Sequence, residues 1–399
     1  QLKEKEFESY GIDSRTIVKG ALFFALKGEH TNGHLFLQDA FARGAAGAIV
    51  SQDVDVSQFP GTLVRAADSL AALHALGAFV RGRSRTRFIG ITGSSGKTST
   101  KEFTATLLAQ KYKIFKSEGN LNSITGLPLS LLAMQPADYA VFEIAMNQPG
   151  EIARLASVLK PHLGVLLNVN PVHLGQFTSI DDIAVEKCSL VTGMATDATV
   201  LLNADDARIA PRIPPQYQNR VSFGISEKAD LRITDIFQQG VRGTRAAFRW
   251  KDDHIPFDTN LCGVSNLYNI AAAVSIGLTL GLEWRQILNG ISKLQPYEHR
   301  GVLLSFDGIH VYDDCYNSNP KALEISLEIM RQSRGYKRKI AVVGDMLELG
   351  KHENDFHRQA GEQVASAGID VLVATGKLSQ QMIETAQKGN VREIHSAMN

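Results

Sequence analysis

Residues 87–110 read RFIGITGSSGKTSTKEFTATLLAQ. A short apolar run from Phe88 to Ile91 meets Thr92-Gly93-Ser94-Ser95-Gly96-Lys97-Thr98, and Phe103, Leu107 and Leu108 follow at helical spacing. This predicts strand, glycine loop and helix in direct succession. The backbone N–H groups of such a loop, at the positive end of a helix, cradle phosphate. Lys97 is placed to reach terminal phosphates, and the Thr98 hydroxyl to hold Mg²⁺. The spacing departs from the common P-loop, because Ile91 stands where that pattern has its first glycine. The alternative is an ordinary glycine turn.

A strand feeding a crossover helix requires a parallel sheet covered on both faces. Further strand candidates lie at Tyr112–Phe115, Tyr139–Ile144, Gly164–Asn168 and Thr199–Leu202, with helical patterns at 124–133, 151–159, 180–192 and 264–280. Residues 228–260 break the rhythm and read as short antiparallel strands added to that sheet. The stretch before the loop reads as a small α/β unit. It has strands at Leu22–Leu26 and Ala48–Val50, a helix from Phe36 to Arg43 stopped by Gly44, and a helix from Ser69 to Val80. Residues 81–86, RGRSRT, read as a basic linker. After Tyr297 come a hairpin about Asp307-Gly308, a helix from Lys321, strands at Lys339–Val343 and Val371–Ala374, and a helix near 354–366.

At 399 residues the chain exceeds one typical core. The expected division is 1–84, 85–296 and 297–399. The formal net charge of +1 gives no electrostatic reason to invoke nucleic acid or an anionic membrane. No apolar run approaches the roughly 20 residues that span a bilayer. Cys188, Cys262 and Cys315 are too scattered for a disulfide framework or a zinc motif, which favours a reducing cytoplasmic setting.

Several polar residues fall where α/β sheets place ligands. Glu143 sits inside the apolar run Ala140–Met146, and a carboxylate there needs a cationic partner or a metal. His173 follows the next strand and is either a packed residue or a ligand. Lys187 lies on a helix and alone reads as a surface lysine. Asn266 and Asn269 sit at a helix start, where Ser265 or Asn266 is expected to cap and the second asparagine is in excess. Asp313-Asp314-Cys315-Tyr316-Asn317-Ser318-Asn319-Pro320 joins a strand to a helix. It is either a turn capped by Asn319 or a contact to a nucleotide's sugar or base.

These segments together resemble the Mur ligase family. The resemblance rests on D13-S-R-T-I, A25-L-K-G-E, T92-G-S-S-G-K-T-S, E118-G-N-L-N, G126-L-P, the Glu143 strand, the Ala184–Lys187 run, N266-L-Y-N-I-A-A-A, D313-D-C-Y-N-S-N-P and G344-D-M-L-E-L-G. The combination is most similar to the branch that adds D-alanyl-D-alanine to a UDP-N-acetylmuramoyl tripeptide, through an acyl phosphate made with ATP and Mg²⁺. The resemblance implies three α/β domains: a small N-terminal one for the UDP end of the substrate, a central P-loop ATPase domain, and a Rossmann-like C-terminal domain that closes over ATP. Gly93, Ser94, Ser95, Gly96, Lys97, Thr98 and Ser99 would hold phosphates. Thr98 and Glu143 would ligate one Mg²⁺, and His173 and Lys187 would serve a second, with Lys187 carbamylated. Asn266 would meet adenine, Arg300 phosphate and Asp314 ribose, and Asn317 would add a nucleotide contact. Ser14, Arg15, Thr31 and Asn32 would face the uridine diphosphate, and Asn120 and Asn122 belong to the substrate side. Lys97, Lys187, His173 and Arg300 are the expected catalytic set. A monomer without membrane insertion is expected, as is a third domain that continues past Asn399. A sister ligase adding a single amino acid, or a P-loop kinase or NTPase, remains the alternative.

Overall fold

The structure is a computed structural model that describes residues 6–28, 31–119, 121–171 and 176–397. The first unit is a four-stranded all-parallel sheet of β1 (Ser9–Gly11), β2 (Ala21–Phe24), β3 (Gly47–Val50) and β4 (Thr62–Arg65). Helix α1 (Leu37–Ala42) ends just before Gly44, whose φ of 99° takes the left-handed turn expected of a helix stop. Helix α2 (Ser69–Arg83) is capped by the Asp68 carboxylate, which accepts from Ala71 N–H at 2.8 Å. It runs three residues past the expected end. The supposed linker is therefore half helix, because Arg81 has a destination: its guanidinium donates to the Leu159 and Lys160 carbonyls of the next unit and lies 4.9 Å over the Phe88 ring.

The chain then builds β5 (Arg87–Thr92), α3 (Lys97–Leu108), β6 (Ile114–Lys116), α4 (Gly126–Leu132), β7 (Tyr139–Glu143), α5 (Glu151–Leu159), β8 (Leu163–Leu166), α6 (Ile180–Cys188), β9 (Thr199–Asn203) and β10 (Arg220–Gly224). It continues through β11 (Leu231–Gln238), β12 (Thr244–Trp250), β13 (Asp253–Thr259), α7 (Val264–Thr279) and α8 (Trp284–Ile291). The nine strands form one sheet in the order β13-β12-β11-β10-β9-β8-β5-β7-β6. It is parallel from β6 to β11, and β12 and β13 run antiparallel at its end, as the change of rhythm predicts. One face buries Ile89, Ile91, Val141 and Val165 under α3, α7 and α8. The other buries Phe88, Ala140, Phe142 and Leu166 under α4, α5 and α6. Both faces being covered explains why these strands read as unbroken apolar runs.

The last unit opens with the hairpin β14 (Val302–Phe306) and β15 (Ile309–Asp313). Its turn residues Asp307 and Gly308 both have positive φ, 46° and 83°. Helix α9 (Pro320–Gln332) follows, then β16 (Ile340–Val343), α10 (Glu353–Ser366), β17 (Val371–Thr375), α11 (Ser379–Ala386) and β18 (Glu393–Ala397), whose strands form a parallel three-stranded sheet. Helix α9 packs against the 240–242 turn of the central unit. Val241 N–H donates to Ser333 Oγ at 3.1 Å, and Ile329 is buried with Val241 and Cys262. Among the described residues, no helix is long and apolar enough to cross a membrane.

Candidate active site

Strand β5 lies between β7 and β8, where successive connections turn to opposite sides of the sheet. Ligand crevices form outside the carboxyl ends of strands at such a point. Thr92 ends β5, Glu143 ends β7, and Asn168 follows β8.

The loop between β5 and α3 is held from β8. Ser94 N–H donates to Asn168 O at 2.9 Å, and Ser95 N–H to Asn168 Oδ1 at 2.9 Å. Ser94 Oγ donates to Asn170 O at 3.1 Å. Gly96 caps α3 with φ of 81°, a conformation that disfavours any side chain. A Cβ there would also run into the Asn269 amide, whose carbon would lie 3.1 Å away. The backbone is thus bare where a phosphate would approach. Lys97 Nζ donates to Gly93 O at 3.1 Å, folded back along the loop. Burial lowers its pKa; the Glu143 charge opposes that shift and the Arg300 charge adds to it.

Glu143 is 3% exposed, and no described lysine or arginine pairs with it. Its carboxylate accepts from Thr98 Oγ1 at 2.8 Å on one oxygen and from Asn122 Nδ2 at 2.8 Å on the other. Thr98 Oγ1 and Glu143 Oε2 form a pair of hard oxygen donors facing the phosphate loop, a set that fits Mg²⁺. Asn122, expected on the substrate side, orients the carboxylate. Its loop is tied down by Lys101, a fully buried lysine of α3 that donates to Ser117 O at 2.7 Å and Gly119 O at 3.3 Å.

Lys187 is no surface lysine. It is 3% exposed, and its hydrogen-bond neighbour is the Met146 sulfur at 4.0 Å. Burial holds its pKa well below the ordinary lysine range, and Lys97 repels its charge further. The adjacent Glu186 gives little relief, because neighbouring helix residues face different ways. Its carboxylate instead accepts from Gly150 and Ile152 N–H, both at 2.8 Å, at the start of α5.

The C-terminal unit brings Arg300 into the electrostatic range of Lys97. Arg300 lies 4.0 Å over the Tyr316 ring, and its Nε is buried without a hydrogen-bond partner among the described residues. A buried guanidinium N–H with no acceptor is available to an anion. Asp314 accepts from Ser326 Oγ at 2.7 Å, and burial raises its pKa. Asn317 is exposed nearby, and Asn319 caps α9 by accepting from Ala322 N–H at 3.0 Å.

Helix α7 departs from the expected cap. Gly263, with φ of 81°, precedes its first residue, so Ser265 and Asn266 fall inside the first turn. Asn266 Nδ2 donates to Cys262 O at 2.9 Å. Asn269 turns toward the phosphate loop and receives Thr100 Oγ1 at 3.3 Å. In the first unit, Ser14 is buried, and exposed Arg15 pairs with Asp13 at 2.7 Å, holding that carboxyl at about 2. Thr31 is exposed. Asn32 Oδ1 accepts from His34 N–H at 3.2 Å and Nδ1 at 2.8 Å, so part of its capacity serves a turn. His173 and Asn120 lie outside the described residues.

The positioning residues Asn168, Asn170, Lys101 and Glu186 are absent from the sequence-level set. Only the two asparagines carried a signal, as polar residues just past a strand end.

Residues 6–83 match the Mur ligase family catalytic domain, 91–277 the Mur ligase middle domain, and 299–399 the Mur ligase glutamate ligase domain. The UDP-N-acetylmuramoyl-tripeptide–D-alanyl-D-alanine ligase of Bacillus subtilis is 30% identical over 395 residues, covering 97% of this chain and 84% of that protein. Its Escherichia coli counterpart is 32% identical, covering 92% and 81%. Among solved structures, MurF from Acinetobacter baumannii superposes with a TM-score of 0.90 at 28% identity, covering 99% of this chain and 86% of that one. MurF ligase from Thermotoga maritima in complex with ADP gives 0.85 at 27% identity, covering 100% and 95%. The chain belongs to the Mur ligase family and is a ligase of that family's three-part α/β fold.

Proposed function

We propose that the chain joins D-alanyl-D-alanine to a UDP-N-acetylmuramoyl tripeptide, consuming ATP, with residues 1–84 receiving the uridine nucleotide, 85–296 ATP, and 297–399 the ribose and a phosphate. The observation that carries this reading is the meeting of a phosphate loop, a Thr98–Glu143 oxygen pair 2.8 Å apart, and Arg300, whose charge acts on Lys97 and whose Nε has no hydrogen-bond partner among the described residues. Mg²⁺ held by Thr98 and Glu143 would offset the phosphate charge.

The residues' own work is to position and neutralise. The loop N–H groups of 93–99 and the Lys97 ammonium hold the β- and γ-phosphates. The peptide carboxylate oxygen bonds to the γ-phosphorus as the bond to ADP breaks. The dipeptide amine then bonds to the acyl carbon, phosphate leaves, and the amine's proton is released. Arg300 meets charge at the transferring group, Asp314 the ribose and Asn266 the adenine, with Asn317 beside them. Ser14, Arg15, Thr31 and Asn32 lie toward the uridine diphosphate. Lys187 is held in a site that favours its neutral amine, the form that adds CO₂ to give a carbamate anion. That anion, with His173, would hold a second Mg²⁺.

The test is incubation with ATP, Mg²⁺, the UDP-tripeptide and D-alanyl-D-alanine, followed by mass analysis. The expected product is the tripeptide extended by the dipeptide, and Lys97→Ala abolishes it. Extension by free lysine or diaminopimelate instead would assign a sister ligase. Phosphate release that needs no amine would assign a kinase or NTPase.

A further inference from the structure

We propose that His299, Asp313 and Cys315 form a binding site for a thiophilic divalent cation of the zinc class, on the outer side of the joint between the central and C-terminal units. One ligand atom from each, an imidazole nitrogen, a carboxylate oxygen and a thiol sulfur, lies within 4.8 Å of the other two. Zinc binds this donor set tetrahedrally at about 2.0–2.3 Å, so its ligands stand about 3.3–3.8 Å apart. The thiol sets the site apart from the Thr98–Glu143 pair, whose oxygens suit a hard cation.

The donors are held in place by backbone. Gly301 N–H donates to Asp313 O at 2.8 Å, and Tyr316 N–H to His299 O at 3.1 Å, closing the joint onto the 313–316 loop. Asp313 links the other two: one carboxylate oxygen lies 2.6 Å from His299 Nδ1, and the other accepts from Cys315 N–H at 3.2 Å. The His299 side chain is 52% exposed and Cys315 is exposed, so an ion enters from solvent. Cys188 and Cys262 are buried, which leaves Cys315 as the accessible thiol. Each flanking ligand is next in sequence to a nucleotide-side residue: His299 to Arg300, and both Asp313 and Cys315 to Asp314. A bound ion would cross-link the segments that carry them.

The test uses the full chain, stripped with a chelator and titrated with Co²⁺ as a spectroscopic stand-in for Zn²⁺. The expected result is one equivalent with thiolate-to-cobalt absorption, displaced by Zn²⁺ and unaffected by excess Mg²⁺. Cys315→Ser abolishes the band. His299→Gly and Asp313→Asn weaken binding by about 100-fold or more, since even outer partners of a metal ligand carry up to that much. His299→Gly is a safe variant for folding, because His299 holds a left-handed φ of 58° that glycine adopts freely. Ligase turnover of the Cys315 and His299 variants in chelated, Mg²⁺-supplied buffer reports their fold. Absence of the band, its survival in Cys315→Ser, or its indifference to both His299→Gly and Asp313→Asn would overturn the assignment; the last outcome would mean a thiol acting alone.

Discussion

Gly96→Ala tests the geometry of the phosphate loop most directly. Two separate costs meet at this position. An L-residue at φ of 81° costs about 1–2 kcal/mol. The new methyl also enters the space of the Asn269 amide, and forcing atoms into a packed site costs about 1–3 kcal/mol. The sum is about 2–5 kcal/mol. At about 2–4 °C per kcal/mol for a unit of this size, the apparent Tm of the central unit falls by about 4–20 °C. The two costs are separable, because Asn269→Ala removes the obstruction and leaves the backbone strain. In that background Gly96→Ala should cost only about 1–2 kcal/mol, a coupling of about 1–3 kcal/mol between the two positions. Calorimetry at one scan rate on wild type, both single variants and the double variant gives all four corners. Equal losses in the two backgrounds would refute the crowding argument. A loss below about 1 kcal/mol would refute both parts.

Other changes probe the surrounding parts. Asn122→Ala frees one oxygen of Glu143 and should raise the Mg²⁺ needed for half-maximal ligation by about 10–100-fold with little change in Tm; an unchanged Mg²⁺ titration would speak against its orienting role. Lys187→Met should abolish ligation yet raise the Tm of the central unit near neutral pH in CO₂-free buffer, because a buried amine whose burial disfavours its charge is replaced by an apolar side chain. The pH trend has a definite sign. The unfolded lysine keeps its proton up to about 10.4 while the folded one releases it lower, so wild-type stability rises with pH across that interval. The methionine variant should lose that rise in a Tm-against-pH series, and a parallel curve would contradict the reasoning. Arg81→Ala removes two hydrogen bonds to carbonyls at the end of α5 and a ring contact, a loss of about 2–3 kcal/mol. Limited proteolysis should then release residues 1–84 while ATP binding persists.

The phosphate loop and Glu143 were legible because each is a local contradiction: a glycine-rich turn between strand and helix, and a carboxylate in an apolar run. The same logic failed for Lys187, whose helix gives no sign that its face is covered by the segment that follows β7. Lys101, Asn168 and Asn170 were illegible as positioning groups for a different reason. Asn168 meets Ser95 across 73 residues of chain, and periodicity states which face a side chain takes, not whom it meets there. Helix α8 was missed because it is only eight residues long, although it is strongly amphipathic and Glu283 and Gln286 form a capping box at its start. The edge strands β1 and β4 are three and four residues long, too short for a pattern to declare itself. Cap residues were misplaced on α7 because Gly263 does by backbone conformation what Ser265 was expected to do by side chain.

Arg300 brings a positive charge to a place that already holds Lys97. Without a ligand, approach of the C-terminal unit works against repulsion among like charges, with Glu143 as the opposing carboxylate. A nucleoside triphosphate reverses the sign of that work. On the proposed assignment the nucleotide would act as the adhesive between two parts of its own enzyme, and the catalytic arrangement would assemble around it. Moderate salt should weaken the repulsion in the empty protein and the adhesion in the loaded one, narrowing the difference between the two states from both sides.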